Sequence, residues 1–543
     1  MQALYQLSYS PKTGPPEVTG NPAAATPTLH GTGHVPPNPI SGLPATGASP
    51  DVRRVLSSAG AVDHDSGAHA VSTLQQTAES RSQAFVRTHL LGRRAVIASA
   101  LCVLSFAVFW TAQRATDVSM IDLMVYRAEG WTVRTGGDLY AMRATYADLP
   151  TTYPPFAALL FLPLTLLDVA DMRTLATAGN LVLLVAVIHL SLQLAGRPVR
   201  ASQRPAATML VASVAVWCEP VWTTLRYGQI NLLLTALVLW DLSRRSGHRW
   251  AGVGIGVAAG IKLTPALFAV FLALCGVVQC LRRVRNGGGV TGWWNPALRQ
   301  AAVATGAFLG TVLLGVIVLP HDSRRFWLDA VFRSERVGHT DITDNQALSG
   351  MVARLLHTGE PGWPWLVLAA LVMLFGLAAA VAAVSAGPRR LPYASAWAAV
   401  TCAFTALLVS PVSWSHHWVW CVPAVLLLGA ETLGRDRALR WRVLTGTAAL
   451  IFCSYALWLV PHGETGPVRP ELNQTGGEMV LSALYPAFGL CFLALAFTLA
   501  VRALRKPAPY EPDSGTGAPK GRVAQGACLR RRGDAARQAV AKE

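Results

Sequence analysis

The sequence predicts an all-α polytopic membrane protein, and two observations carry that reading. Of 543 residues, 52% are hydrophobic and only 14% charged. The apolar residues collect in many blocks close to the ~20 residues that take a helix across a bilayer, with short Arg-rich joints between them. In lipid every backbone polar group must be satisfied within the protein, which leaves helices or a closed barrel. A barrel would show alternating segments of about ten residues, so the blocks are read as helices.

The two ends differ in composition. Residues 1–90, rich in Pro, Gly, Ala, Ser and Thr, hold few large apolar side chains and are expected to be a disordered cytoplasmic tail. Residues 504–543 are expected to be a basic, disordered cytoplasmic tail, leaving 91–503 as the transmembrane domain. Nothing apolar stands near Met1, so the helix beginning at Ala95 is expected to act as the first insertion signal. A net charge of +17 could suit nucleic acid, but the Arg residues cluster in the joints and the tail, as cytoplasmic loops require. No nucleic-acid partner is therefore expected. The cysteines from Cys102 to Cys491 lie inside apolar blocks, with only Cys528 in a tail, and they read as small buried hydrophobes without pairing or metal spacing.

The Arg joints orient the chain. With Arg93-Arg94, Arg197 to Arg204, Arg244 to Arg249, Arg282 to Arg285, Arg389-Arg390 and Arg435 to Arg442 in the cytoplasm, twelve spans thread between them. They run near 95–113, 174–195, 206–224, 229–243, 250–261, 265–281, 300–319, 364–386, 392–410, 417–433, 443–460 and 478–502. Residues 153–167, YPPFAALLFLPLTLL, are short and proline-broken and read as re-entrant. Residues 250–281 are either two short helices broken at Lys262-Leu263-Thr264-Pro265 or one kinked helix.

This topology puts the unusual polar clusters on one face. They are Asp122, Tyr126, Arg127 and Glu129; the Tyr153-Pro154-Pro155 turn; Arg226 to Asn231; Lys262 to Pro265; Asn345-Gln346; and Ser415 to Trp418. Polar groups at the edge of the hydrocarbon are costly, so six such segments on one side point to a site.

In their order these segments resemble the integral-membrane glycosyltransferases of family 87, the polyprenol-phosphate-mannose-dependent α-mannosyltransferases of actinobacteria. The matching pieces are Asp122-Leu123-Met124-Val125-Tyr126, Tyr153-Pro154-Pro155-Phe156, Gly228-Gln229-Ile230-Asn231, Lys262-Leu263-Thr264-Pro265, Asn345-Gln346-Ala347-Leu348 and Ser415-His416-His417-Trp418. The resemblance covers roughly residues 95–500 and implies a GT-C fold. It also implies transfer of mannose from a polyprenyl-phosphate-mannose donor to a glycolipid or glycan acceptor on the extracytoplasmic face of the cell membrane. The product would be an α-(1,2-)mannoside formed with inversion. A polyprenyl-phosphate-arabinose-dependent enzyme and a transporter or flippase of lipid-linked sugar are the alternatives.

The resemblance implies that Asp122 is the catalytic base, and the chemistry suits it: a proton must leave the attacking hydroxyl as the new bond forms, and a carboxylate near the interface can take it. Glu129 is the runner-up. A metal-bound nucleotide sugar is not expected, because the D-x-D pair Asp63-His64-Asp65 lies in the cytoplasmic tail, so neither metal nor other cofactor is called for. The lipid phosphate needs cationic or hydrogen-bonding partners, and Lys262, Arg226, His416 and His417 are the candidates. Lys262 stands open between that role and a snorkelling anchor. Adjacent helical residues diverge by about 100°, so one histidine is expected to face the cavity and the other to pack. Tyr126, Tyr153, Gln229, Asn231, Asn345 and Gln346 are the candidates for sugar or acceptor contacts.

Overall fold

The computed structural model describes residues 92–506 except 197–200, 245–246, 288, 290–292, 435–437 and 464–468. The expected tails, apart from residues 504–506, together with Cys528 and the Asp63-His64-Asp65 pair, lie outside the described residues. Parts of the Arg197, Arg244 and Arg435 joints do so too.

The protein is a bundle of helices, with two antiparallel two-residue strands, Arg143–Ala144 and Leu149–Pro150, as its only sheet among the described residues. Six helices are long and apolar enough to cross a membrane: Gly92–Ala115, Val169–Ala195, Ala266–Arg285, Pro296–Val318, Gly362–Arg390 and Leu484–Arg505. A seventh span is formed if Ala201–Ala215 and Glu219–Tyr227, which bend by 76° at their junction, count as one. The protein is therefore a multi-pass membrane protein. Several of the twelve expected spans are shorter or broken, and the breaks have local causes.

The expected straight span 206–224 breaks where Cys218 turns extended (φ −65°, ψ 137°) ahead of Glu219-Pro220. Proline lacks the N–H that a continuing helix would use, so it stands in the first turn of a new helix. Residues 250–281 resolve into two helices, Val253–Ile261 and Ala266–Arg285, because Lys262 is extended (φ −148°, ψ 130°) ahead of Thr264-Pro265. The apolar stretch 153–167 becomes a helix, Pro155–Phe161, running into the 3-10 turn Leu162–Leu166, with a proline in the first turn of each.

The first loop holds more structure than the sequence suggested. Asp122 sits in the first turn of a 15-residue helix, Ile121–Thr135, that lies against Pro155–Phe161 and Leu162–Leu166. Gly130 permits this contact, since a Cβ there would lie 2.6 Å from the Phe161 carbonyl oxygen. Val253–Ile261 packs on Pro296–Val318 through Gly252, Gly256 and Gly260, three glycines at a four-residue spacing, and a Cβ at any of them would collide with that helix. Small residues on one helical face allow close approach in membranes, and here they fix the helix that ends at Lys262.

The cysteines depart in part from the expectation. Cys102, Cys275, Cys280, Cys402 and Cys421 are buried, but the thiols of Cys218 and Cys453 approach to 3.2 Å.

Candidate active site

Helix ends and the turns between helices supply most of the site. Asp122, Tyr126, Tyr153, Gln229, Lys262, Trp414 and His417 line one cavity of about 730 Å³, together with Phe326, residues 330–334, Arg336 and Val337. The cavity continues along the Gly362–Arg390 span past Trp365 and Leu366 to Met373. At 1.5 Å per residue Met373 lies about 16 Å along that helix from its start, so the cavity runs well down a helix long and apolar enough to cross a membrane.

Asp122 is held by Gln229, whose Nε2 donates to Oδ2 at 2.7 Å. Gln229 is fixed in turn: its Oε1 accepts from the hydroxyls of Tyr126 at 2.8 Å and Tyr153 at 3.3 Å. The turn that delivers Gln229 depends on Gly228, which has φ 69° and whose Cβ would fall 2.6 Å from that of Leu123. A side chain there would be strained in backbone and would push the Asp122 helix away. Burial raises the Asp122 carboxyl to about 6, with the Gln229 bond and the charge of Lys262 pulling against it and Asp344 adding to it. The group thus stands ionised at neutral pH and is a stronger base than a solvated aspartate.

Lys262 Nζ lies 2.8 Å from His417 Nε2. The Trp414 backbone N–H donates to the other ring nitrogen, Nδ1, at 3.1 Å. A neutral imidazole therefore carries its proton on Nε2 and directs it at Lys262, which suits an unprotonated amine. Burial lowers Lys262 to about 7, opposed by the charge of Asp122. An incoming phosphate would favour the ammonium form, and amine and imidazole N–H could then both donate to it.

The remaining sequence candidates are placed as follows. His416 is buried, with both ring nitrogens unpartnered among the described residues, edge-on to Tyr227 at 5.3 Å and to His417 at 4.8 Å, and it does not line the cavity. Asn231 lines a smaller adjoining cavity of about 70 Å³ beside Lys262 and His417, and its amide donates to the His416 carbonyl at 3.0 Å. Asn345 and Gln346 are fully buried away from the large cavity. Asn345 Oδ1 accepts from Ser413 N at 3.1 Å, and Gln346 Nε2 donates to the carbonyls of Thr343 and Ser482 at 2.7 Å each. These contacts order the loop that presents His417 and leave no group free for a sugar. Arg226, half-buried on Glu219–Tyr227, does not line the cavity either. Glu129 is fully buried with neither carboxyl oxygen hydrogen-bonded among the described residues, and burial raises it to about 8, so it is neutral at pH 7 and poorly placed to compete as a base.

Two residues that matter escaped the sequence reading. Glu219 joins four elements: Oε1 accepts from Thr223 and Ser415 at 2.8 Å and from Trp458 at 3.2 Å, and Oε2 accepts from Tyr485 at 2.8 Å. A lone acid inside an apolar block was the available signal. Arg354, 1% exposed, ties Ser482 to the carbonyls of Ile342 and Asn345. Asp138, His321 and Asp322 bring possible metal-binding atoms within 4.8 Å of one another, but Arg325 already pairs with Asp138 and the Leu139 N–H occupies Asp322.

A multi-pass membrane protein with an acid and a lysine–histidine pair facing one cavity that runs along a membrane-length helix is the class that fold and site define. A family model described as glycosyltransferase family 87 matches residues 152–411. A Mycobacterium tuberculosis protein, the polyprenol-phosphate-mannose-dependent alpha-(1-2)-phosphatidylinositol pentamannoside mannosyltransferase, is 32% identical over 65% of this chain and 78% of its own length. The polyprenol-phosphate-mannose-dependent alpha-(1-2)-phosphatidylinositol mannoside mannosyltransferase of Mycolicibacterium smegmatis is 32% identical over 64% and 78%. Among solved structures, ArnT from Cupriavidus metallidurans bound to undecaprenyl phosphate aligns over 75% of this chain and 77% of its own, with a TM-score of 0.36 and 14% identity. The chain belongs to glycosyltransferase family 87.

Proposed function

We propose that this protein is a polyprenyl-phosphate-mannose-dependent α-mannosyltransferase of GT-C type, acting on a phosphatidylinositol-mannoside-like glycolipid at the extracytoplasmic face. The observation that carries this reading is the convergence of Asp122, Lys262 and His417 on a cavity that runs down a membrane helix. The activities of the mycobacterial relatives support the sugar and the class of acceptor.

In this reading the polyprenyl chain lies along Gly362–Arg390 and its phosphate meets Lys262 and His417. Asp122 takes the proton from the acceptor hydroxyl as that oxygen attacks the anomeric carbon. The C1–O bond to the phosphate breaks, and the lipid phosphate leaves with the bonding electrons against the lysine ammonium. One displacement on a β-linked donor inverts the centre and gives an α-mannoside, with an α-(1,2) linkage by likeness to the relatives. The twelve-crossing arrangement belongs to this proposal. Ala394–Val409 is buried along almost its whole length, so it need not match the bilayer as a lipid-facing helix must.

The test is transfer by the purified protein from polyprenyl-phosphate-mannose to a phosphatidylinositol mannoside, with the anomer assigned by NMR. A β-mannoside product, or no transfer, overturns the reading. For sidedness, a cysteine at His339 should react with an impermeant thiol reagent in spheroplasts and one at Gly247 should not. The reverse result would move the site to the cytoplasm.

A further inference from the structure

With Lys262, His417 and Asp122 given to the donor and its transfer, the same cavity keeps a cation with no assigned task. Arg336 ends the 3-10 turn Ser334–Arg336 and lines the cavity beside Arg333, Tyr140 and Thr151. Its Nη2 donates to the carbonyls of Tyr140 at 3.0 Å and Thr151 at 3.2 Å, which fixes the guanidinium 5.9 Å from the Tyr140 ring centre. Nη1 has no acceptor among the described residues.

The charges around it make this arrangement costly as it stands. Arg143, Arg325 and Arg333 are near enough to repel Arg336. Each has its own acid: Asp148 at 3.8 Å, Asp138, and Asp329 at 2.7 Å. Arg336 has none among the described residues, although it is half-buried. A guanidinium among like charges without a counter-ion is stabilised when a ligand brings an anion, and the planar fork suits a phosphate. The neighbouring cavity wall is apolar and outward-facing at Phe332, 78% exposed, and Val337, 39% exposed, apart from the Gly362–Arg390 side given to the donor chain. Such a wall can carry acyl chains.

We propose that Arg336 forms a second phosphate-binding site, which holds the phosphodiester of the acceptor lipid while its terminal sugar reaches Asp122. The proposal rests on the glycolipid acceptor of the reading above. The donor phosphate is adjacent to the carbon under attack, and the cation that acts on Asp122 is Lys262, not Arg336.

The test is binding to the purified full-length protein in detergent, with dioctanoyl-phosphatidylinositol, octyl α-mannoside and polyprenyl phosphate as probes. Arg336→Gln should weaken the phosphatidylinositol probe about tenfold or more, the loss expected for a charge-assisted hydrogen bond. Arg336→Lys should recover part of that loss, and the other two probes should bind unchanged. In the wild-type protein a phosphatidylinositol with a headgroup diazirine should label residues 332–337. Unaltered phosphatidylinositol binding by the Gln variant, weakened polyprenyl phosphate binding instead, or photolabelling confined to other segments would each overturn the proposal. None of these readouts needs mannose transfer, so failure of the mannosyltransferase reading would show separately, in the transfer assay.

Discussion

Two carboxylates in this molecule are treated in opposite ways. Glu219 is fully buried and accepts four hydrogen bonds from four parts of the chain, so its capacity is spent on joining Glu219–Tyr227, the Ser415–Trp420 turn, the 456–459 turn and Leu484–Arg505. Asp122 accepts one side-chain bond, from Gln229, and faces the cavity with the rest of its capacity open. A sealed acid organises structure, because both of its oxygens are already engaged and no side of it is open to a ligand. An acid left open on one side can take a proton from something that enters.

The comparison predicts a separation of effects. Asp122→Asn keeps the shape and hydrogen bonding but removes the basicity, so transfer should fall by about a hundredfold to ten-thousandfold, the usual loss for a general base. Thermal stability in detergent and donor binding should persist. Retention of more than about a tenth of wild-type turnover would remove Asp122 from the base role, and a dead Glu129→Gln variant would transfer that role along the helix.

Glu219→Ala should do the reverse in kind. It strands three buried donors, each costing about 1–3 kcal/mol, and the half-buried Trp458 N–H, so the melting temperature should drop by roughly 5 °C or more with aggregation on extraction. Glu219→Gln should fall between wild type and the Ala variant. A Glu219→Ala protein as stable as wild type but catalytically dead would erase the distinction drawn here.

Lys262→Ala tests the cation opposite Asp122. Loss of a charged donor to the phosphate should raise the donor KM by about tenfold or more, with the acceptor KM unchanged. Unchanged donor kinetics would make Lys262 a snorkelling anchor.

The smallest expected effect is a pH shift. Asp122 works only when deprotonated, so kcat/KM should rise with pH through about 6; Lys262 binds phosphate best when protonated, so it should fall above about 7. Gln229→Ala removes a hydrogen bond that favours the charged carboxylate, so the acid limb should move to higher pH. An acid limb that stays fixed would mean that another group sets it.

Much of this was legible along the chain. Apolar block length gave the membrane class, and the family motifs picked out Asp122, Gln229, Lys262 and His417, all of which line one cavity. The prolines at 155 and 265 marked where helices start or break, because a missing N–H acts locally whatever the tertiary context, whereas the break ahead of Pro220 went unread and the span 206–224 was drawn through it. Tertiary structure alone decided the rest. That His417 lines the cavity while His416 packs follows from the Trp414 N–H that fixes one imidazole and the Tyr227 ring that covers the other. Asn345 and Gln346 order a loop, since their partners at Ser413 and Ser482 are 68 and 136 residues away in sequence. The weight of Glu219 and the lack of a partner acid for Arg336 among the described residues are likewise facts about distant neighbours. Periodicity and local chemistry report what a segment does by itself, but the pairing of a buried charge is set by which segments meet.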